Sequence, residues 1–436
     1  EDVHRVRCRI YVELPPLSST AYRIETPEAQ VRQPIHHADE VPVHGHQWEL
    51  CTLNNDKVRV RFDVHHRTLI FERKVDQVWI HQVSGHCFLH EGDAGDEYNF
   101  SPPQHPETPE VHSFGFHQAT VLHGPGEQTL LLRAEVNIPV GLNTERTARA
   151  SETTPLVVET RIQLFEDSET FRFHTTVHNT ARDYRLKLLW QPALPPTATR
   201  SSTLLGALNP SPPALAPWDA EKGHERPVDE FPFQEWIHVK QPDQNGWCFQ
   251  STGLYEASLA PWEDEPALAI TLLRCTGWLS RDDLRTRGGG AGPRMPTPEA
   301  QCLGTHEYRY HLHLCGADET RTLETVGNYR HPILHFQGAA ASPEALFAGH
   351  FDTLHLSALK IADQNANALL FRVVNESSRT QVLAITPRFE WQHIYQSNPL
   401  EEAIQVLATY GEREFSPQSI QPGEVASYLI LLKEAG

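Results

Sequence analysis

The residues best equipped for chemistry lie in one charged stretch, SRDDLRTR at 280–287, which runs directly into GGGAG at 288–292. It holds two adjacent carboxylates, Asp282 and Asp283, and three guanidiniums. Carboxylate pairs serve as acid and base in glycosidic-bond hydrolysis. Adjacent side chains on an extended chain point in opposite directions, however, so these two cannot form one such pair. On composition alone, we expect a surface loop whose charges pair among themselves.

A second group of carboxylates lies in DAGDE at 93–97, next to Tyr98 and Phe100. A sugar ring presents an apolar face to aromatic rings and hydroxyls to carboxylates, so this combination suits a carbohydrate site. Trp278, beside the charged stretch, gives a second such combination. It is an equally good interpretation that the aromatic rings cap a sheet. For both groups of carboxylates, a solvated turn is the favoured interpretation on sequence alone.

Other kinds of catalytic or metal chemistry have no matching pattern. The sequence contains no G-x-S-x-G, no phosphate-binding glycine loop and no H-E-x-x-H. Histidine pairs occur at 36/37, 44/46 and 311/313, but with 26 histidines such pairs arise easily by chance. None has the third ligand that a metal site requires. We therefore predict no metal site within the chain.

Length and charge exclude several classes of partner. The 436 residues suggest two or three domains, and the net charge of -19 disfavours nucleic acid and anionic membranes. No run of about 20 apolar residues predicts a membrane span. The seven cysteines are widely spread without C-x-x-C spacing, and no basic, apolar leader is seen at 1–5. We expect reduced thiols in a cytoplasmic protein.

Strand patterns recur along the chain, and helical periodicity is scarce. Residues 192–217, rich in Pro, Ala, Ser and Thr, are expected to be irregular. Strands are predicted at 5–12, 48–53, 57–64, 68–71, 128–140, 156–165, 170–177, 185–190, 230–239, 247–254, 270–279 and 308–314. A further set has the spacing of a β-sandwich: 354–361, 368–374, 381–386, 402–407 and 426–432. The sequence predicts an all-β chain with one large and one smaller sandwich.

Seven stretches occur in the order in which a known family carries them: CTLNNDKVRVRFDVHHRTLIFERK (51–74), GDEYNFSPP (95–103), VHNTARDYRLKLLW (177–190), GLYE (253–256), LSRDDLRTRGGGAGPRMPTPEAQCLG (279–304), FRVVNESS (371–378) and IQPGEVASYLIL (420–431). The most specific is 279–304. Together they resemble the C-terminal β-rich region of glycoside hydrolase family 38, the α-mannosidases, with 95–103 closest to the bacterial members. The resemblance covers nearly the whole chain.

The resemblance implies a domain order as well as a fold. It implies a large galactose-mutarotase-like supersandwich followed by a smaller C-terminal β-sandwich. The corresponding limits are 1–45 for N-terminal strands and a connection, 46–330 for the supersandwich and 331–436 for the C-terminal sandwich.

The resemblance also implies a function for the chain. Family members begin with an α/β-barrel catalytic domain, which holds the zinc ligands and the aspartate nucleophile of a retaining mechanism, and a helical bundle follows. Neither is matched in this sequence. The expectation is the non-catalytic C-terminal portion of a zinc-dependent α-mannosidase. Its partners would be a mannoside and an N-terminal catalytic domain, with zinc bound outside this chain; a homo-oligomer stays open.

The resemblance implies substrate-binding roles for three residues. Tyr98 is similar to the tyrosine whose hydroxyl touches the bound mannose, and Arg285 to the arginine that anchors the substrate. Asp283 is the nearby carboxylate expected to lie close to the sugar. Thr286 departs from the glycine that usually follows that arginine in eukaryotic members, which leaves the shape of the loop open.

Two other functions remain as alternatives. The first is a free-standing carbohydrate-binding module, which would bind sugar without a catalytic domain. The second is an enzyme like the aldose epimerases, which would need a His acid and a Glu base facing one cleft. Likeness of fold alone does not grant that activity, and the sequence singles out no such pair.

Overall fold

The computed structural model describes residues 39–43, 51–63, 68–105, 110–113, 118–124, 126–210, 225–262, 265–330, 346–350 and 353–433. The strand predicted at 5–12 and the first part of that at 48–53 lie outside these residues. The chain divides into two compact units, a larger one within Gln33–Thr322 and a smaller one within Leu323–Gly436. The domain limits expected from the sequence stay predictions.

The described part of the larger unit consists almost wholly of strands. They are β1 (Asp39–Val43), β2 (Thr52–Asn54), β3 (Val58–Asp63), β4 (Thr68–Val75), β5 (Val78–Gly92), β6 (Glu110–Ser113), β7 (Gln118–Gly124), β8 (Glu127–Pro139), β9 (Thr153–Phe165), β10 (Thr170–Asn179), β11 (Tyr184–Pro192), β12 (Ala198–Thr203), β13 (Gly206–Leu208), β14 (Glu230–Pro232), β15 (Trp236–Lys240), β16 (Gly246–Ser251), β17 (Glu256–Trp262), β18 (Glu265–Cys275) and β19 (Gly304–His313).

These strands form two antiparallel sheets. One has the order β1-β7-β8-β9-β10-β19-β16-β15-β12-β13, and the other β14-β17-β18-β11-β5-β4-β3-β2 with β6 paired to β5. Side chains alternate between faces along each strand, as in the buried and half-buried residues of β3. The buried faces of both sheets meet in one apolar core. At its centre the rings of Phe173 and Tyr310 stack with centroids 4.9 Å apart. The predicted all-β fold class is confirmed.

Three strand predictions were wrong in detail. The strand expected at 230–239 is two strands in different sheets, because the chain crosses between them where Phe233 N donates to Tyr255 O and Gln234 N to Ser202 O. The segment 192–217, expected to be irregular, contains the hairpin of β12 and β13. The strand expected at 270–279 ends at Cys275, and Trp278 makes only an isolated bridge to Pro296.

One α-helix, α1 (Glu319–Arg330), is found among the described residues and was not predicted. Its sequence is mostly polar, and its fully buried apolar side chains are Leu323 and Val326, so it lacks a broad apolar stripe. No described helix is long and apolar enough to span a membrane.

The described smaller unit is itself a sandwich. Its strands are β20 (Phe347–His350), β21 (His355–Ala362), β22 (Asn365–Val374), β23 (Gln381–Pro387), β24 (Trp391–Ser397), β25 (Ala403–Thr409), β26 (Gln418–Ile420) and β27 (Val425–Leu432). The sheets have the orders β20-β23-β26 and β21-β22-β27-β24-β25. Their core includes Phe371, Ile394 and Ile430, all fully buried. This agrees with the predicted second sandwich.

Candidate ligand-binding site

Three loops of the larger unit come together beside the sandwich. They are 93–105 after β5, 140–152 between β8 and β9, and 276–303 between β18 and β19. Backbone hydrogen bonds join them: Glu97 N donates to Trp278 O at 3.0 Å, and His105 N donates to Thr147 O at 2.8 Å. Backbone hydrogen bonds therefore hold the first loop to each of the other two.

The first loop is shaped by the buried carboxylate of Asp93. One oxygen accepts the Nε–H of Arg274 at 2.8 Å, and the other accepts the backbone N–H groups of Gly95 and Ser101. A Cβ at position 95 would lie 2.1 Å from Asn99 O, so the turn has room only for glycine. Asp93 is thus a structural carboxylate that holds the turn in place.

A second buried carboxylate, Asp96, connects the first loop to the charged stretch. Its Oδ1 accepts the N–H groups of Tyr98 and Asn99 at 3.0 and 2.9 Å. Its Oδ2 accepts the N–H of Arg281 at 2.8 Å and pairs with Nη2 of Arg287 at 2.6 Å. We call Asp96 and Arg287 the Asp96 clamp. Burial opposes ionisation, but the hydrogen bonds from Arg287 and the backbone hold the pKa of Asp96 below its ordinary value.

Three of the other charged residues of the stretch pair within the loop 276–303. Arg281 donates two hydrogen bonds to the carboxylate of Asp283, and the one from Nε to Oδ1 is 2.8 Å long. This hydrogen bonding holds the pKa of Asp283 below its ordinary value. Asp282 forms an ion pair with Arg294, in which Oδ1 lies 3.4 Å from Nη1. The expectation of internal pairing therefore describes these four residues, whereas Arg287 pairs with a residue of another loop.

Arg281, Asp283 and Arg285 face a cavity of about 460 Å³ between the three loops. Its remaining lining residues are Ala94, Ser101, Pro102, Gln104, Glu145, Arg146 and Thr147. Arg285 is fixed at this wall because its N–H donates to Ser101 Oγ at 3.1 Å and its Nη1 to Pro103 O at 2.8 Å. The cavity has the size of a small-molecule site, about 300–1,000 Å³.

The structure brings two of the three predicted site residues into this cavity. Asp283 and Arg285 line it, and Tyr98 does not. Tyr98 is 55% exposed, and its hydroxyl lies over Gly292, where a Cβ would be 3.2 Å away. Tyr98 and Arg285 are nevertheless coupled, because Asp96 holds the turn of Tyr98 and the start of the charged stretch at once.

The other aromatic candidates already have partners. The guanidinium carbon of Arg185 lies 3.4 Å from the ring centroid of Phe100. Those of Arg281 and Arg294 lie 5.3 and 5.6 Å from the ring of Trp278. Such cation–π contacts occupy the ring faces that a sugar would need. Of the three aromatic residues singled out in the sequence, Tyr98 is the one whose ring is mainly exposed.

The cavity wall formed by Glu145, Arg146 and Thr147 was missed in the sequence. This loop carries no aromatic residue and lies far along the chain from both of the other loops. The clamp was missed for a related reason, since Asp96 and Arg287 are 191 positions apart. A turn signal at Asn143 is the one local cue that the sequence contains here.

The residues that the structure describes do not fit a metal. Among them there is no group of three or more His, Cys, Asp or Glu side chains arranged to hold an ion. No catalytic step through zinc can therefore be derived from these residues.

Comparison with known proteins matches one segment of the chain to a family. Residues 353–428 match the family described as glycosyl hydrolases family 38 C-terminal beta sandwich domain. No curated protein sequence matches the chain.

Among solved structures, the chain is similar to an α-mannosidase from Enterococcus faecalis V583, with 20% identity and a TM-score of 0.69 over 89% of this chain and 43% of that one. It is also similar to a protein in the glycosyl hydrolase family 38 from Enterococcus faecalis, with 19% identity and a TM-score of 0.66 over 89% of this chain and 44% of that one. The chain thus spans less than half the length of either. The resemblance seen in the sequence is confirmed: residues 353–428 match the family 38 C-terminal β-sandwich domain, and most of the chain shares its fold with part of each of these two proteins.

Proposed function

We propose that this chain is the non-catalytic C-terminal portion of a retaining, zinc-dependent α-mannosidase. The family match at 353–428 and the fold shared over 89% of the chain support this role. In this proposal, a catalytic α/β barrel outside the chain supplies the zinc and the nucleophile. The chain supplies structural support and loops that contact an α-mannoside.

The observation that carries the proposal is the cavity at which Asp283 and Arg285 meet. Nη1 of Arg285 donates to the carbonyl oxygens of Pro103 and Gln104, and the other two guanidinium nitrogens have no hydrogen-bond partner among the described residues. Guanidinium donors and carboxylate acceptors are the groups that fix sugar hydroxyls in a pocket. Tyr98 would add its hydroxyl from the turn that Asp96 holds.

A cytoplasmic location is part of the same proposal. The six cysteines in the described residues are all free thiols. Burial raises the pKa of Cys51 and of Cys315 to about 11, so both stay protonated and unreactive at neutral pH. Buried free thiols are usual in a reducing compartment.

Turnover is the direct test. The purified chain, given zinc and an aryl α-mannoside, is expected to show no hydrolysis, and hydrolysis is expected when the catalytic barrel is present in the same polypeptide or mixture. Hydrolysis by the chain alone at the rate of the complete enzyme would overturn the proposal, because the nucleophile would then lie in these residues.

A free-standing carbohydrate-binding module is the second candidate. The observation that favours it is that the cavity is bounded by three loops of this chain alone. Calorimetry with methyl α-mannoside distinguishes the two candidates: heat of binding at submillimolar sugar favours the module, and binding that needs the barrel favours the mannosidase portion.

A further inference from the structure

The cavity wall formed by residues 145–147 belongs to a turn whose shape is fixed by its own hydrogen bonds. Asn143 Oδ1 accepts the N–H groups of Thr147 and Ala148 at 2.8 and 3.2 Å, and Arg146 N donates to Asn143 O at 2.9 Å. Arg146 has a φ of 57°, in the left-handed region that costs a non-glycine residue free energy. Its guanidinium is held by Asp183 at 3.1 Å. The neighbouring Glu145 is therefore presented on a fixed backbone.

The charges that line the cavity do not all have partners. Arg281 pairs with Asp283, and Arg146 pairs with Asp183. Two charged groups of the lining remain without an ion-pair partner among the described residues: the guanidinium of Arg285 and the carboxylate of Glu145. The first is a donor and the second an acceptor, and both border the same 460 Å³.

We propose that Glu145 is a specificity-determining residue, which makes the cavity accept a neutral, hydroxyl-bearing group of the ligand and reject an anionic one. A hydroxyl can accept from Arg285 and donate to Glu145, so a polyol satisfies both groups. A phosphate or carboxylate would pair with Arg285 but would meet the like charge of Glu145 in the same cavity. The inference rests on the proposed function in taking Arg285 to be a sugar-binding residue.

Asp283 cannot impose this discrimination by itself. Both of its oxygens are taken up by Arg281, with Nε–Oδ1 at 2.8 Å, so its charge is balanced locally. Glu145 has no such neighbour among the described residues and is exposed at the cavity wall. The selectivity is therefore assigned to Glu145.

The test compares two sugars that differ in charge, methyl α-mannoside and mannose 6-phosphate. Binding to the whole chain is followed through the Nε–Hε resonance of Arg285 in NMR titrations, with the resonance assigned from R285K. The wild-type chain is expected to bind the neutral sugar more tightly. E145Q should bind the neutral sugar somewhat more weakly, because an amide oxygen is a weaker acceptor than a carboxylate. It should gain affinity for the phosphate sugar by about tenfold, the effect of removing a like charge several ångströms away near a protein surface.

The matched control is E152Q, which removes the same charge from an exposed residue outside the cavity lining. It should leave the ratio of the two affinities unchanged. Tighter binding of mannose 6-phosphate by the wild type, or an unchanged ratio in E145Q, would overturn the inference. If neither sugar moves the Arg285 resonance at tens of millimolar, the inference also fails, whereas the proposed function is judged separately by turnover with the barrel.

Discussion

At the scale of single residues, three arginines of one short stretch have three different tasks. Arg287 is buried and neutralises Asp96. Arg281 holds Asp283 and lies over Trp278. Arg285 is fixed at one nitrogen by Pro103 O and lines the cavity. The functional prediction therefore concerns Arg285, because its charge has no ion-pair partner among the described residues.

Arg285→Ala in the complete enzyme is expected to lower kcat/KM for an aryl α-mannoside by about 10- to 100-fold, the loss expected for one or two hydrogen bonds from a charged donor. Zinc content, measured by elemental analysis, should not change. Arg294→Ala is the control, because Arg294 is exposed and pairs with the equally exposed Asp282. Equal kinetics in the two variants would refute the role of Arg285.

At the scale of elements, the Asp96 clamp turns two loops into one unit. It joins the turn of Tyr98 to the backbone and side chains of the charged stretch, and both of its side chains are buried. Removing one partner of a buried ion pair leaves an uncompensated charge, which costs far more than losing an exposed pair. The two loops should therefore lose their geometry together.

Arg287→Met is expected to lower the free energy of unfolding by about 3–5 kcal/mol, because it leaves the Asp96 carboxylate buried and unpaired. Arg294→Met, which breaks an exposed pair, should cost about 0–1 kcal/mol. Urea denaturation of both variants measures the difference. A cost below that of Arg294→Met would show that the clamp does not hold the loops.

A substitution in the glycine-rich segment 288–292 can displace the Tyr98 side chain while Tyr98 itself is kept. Ser280 Oγ accepts the N–H groups of Ala291 and Gly292 at 3.0 and 3.1 Å, which fixes Gly292 beneath the Tyr98 hydroxyl. A Cβ at Gly292 would lie 3.2 Å from that hydroxyl, whereas a Cβ at Gly290 would meet only ordinary contacts from 3.6 Å.

Gly292→Ala should therefore displace the Tyr98 side chain, and Gly290→Ala should not. In the complete enzyme, we expect Gly292→Ala to raise KM for an aryl α-mannoside about threefold, which corresponds to less than 1 kcal/mol and to a small shift of a surface side chain. The melting temperatures of the two variants should agree. An unchanged KM in Gly292→Ala would argue against contact between Tyr98 and substrate.

The elements also show what the sequence could and could not predict. The strands at 128–140, 156–165 and 170–177 were predicted almost to their ends, because one face of each is buried and the other is not. The split at Phe233 was not, because the pattern of alternation continues although the chain changes sheet. The partners of Asp96 and Arg287 could not be predicted, since only the fold brings residues so distant in sequence together.

At the scale of the whole molecule, several histidines of the larger unit are buried uncharged. Burial lowers the pKa of His86 to about 3, and that of His238 and of His311 to about 4. His238 is 1% exposed, and its Nε2 lies 2.9 Å from Gly316 O, to which the neutral ring donates. An unfolded histidine has a pKa near 6.5. Between about pH 4 and 6.5 the unfolded chain therefore binds a proton that the folded chain does not.

His238 should make the larger unit sensitive to mild acid, because its stabilising contribution is complete above about pH 6.5 and is lost as the pH falls toward 4. The free energy of unfolding in urea should drop by about 1.5 kcal/mol from this residue alone between pH 6.5 and 5. His238→Gln keeps an amide donor for Gly316 O but does not titrate, so its drop over this range should be smaller by that amount. His123→Gln, at an exposed site, should retain the full drop. Tryptophan fluorescence can follow both variants, since Trp190, Trp236 and Trp247 are buried in the same unit. If His238→Gln unfolds with the pH dependence of the wild type, the neutral state of His238 does not govern acid stability.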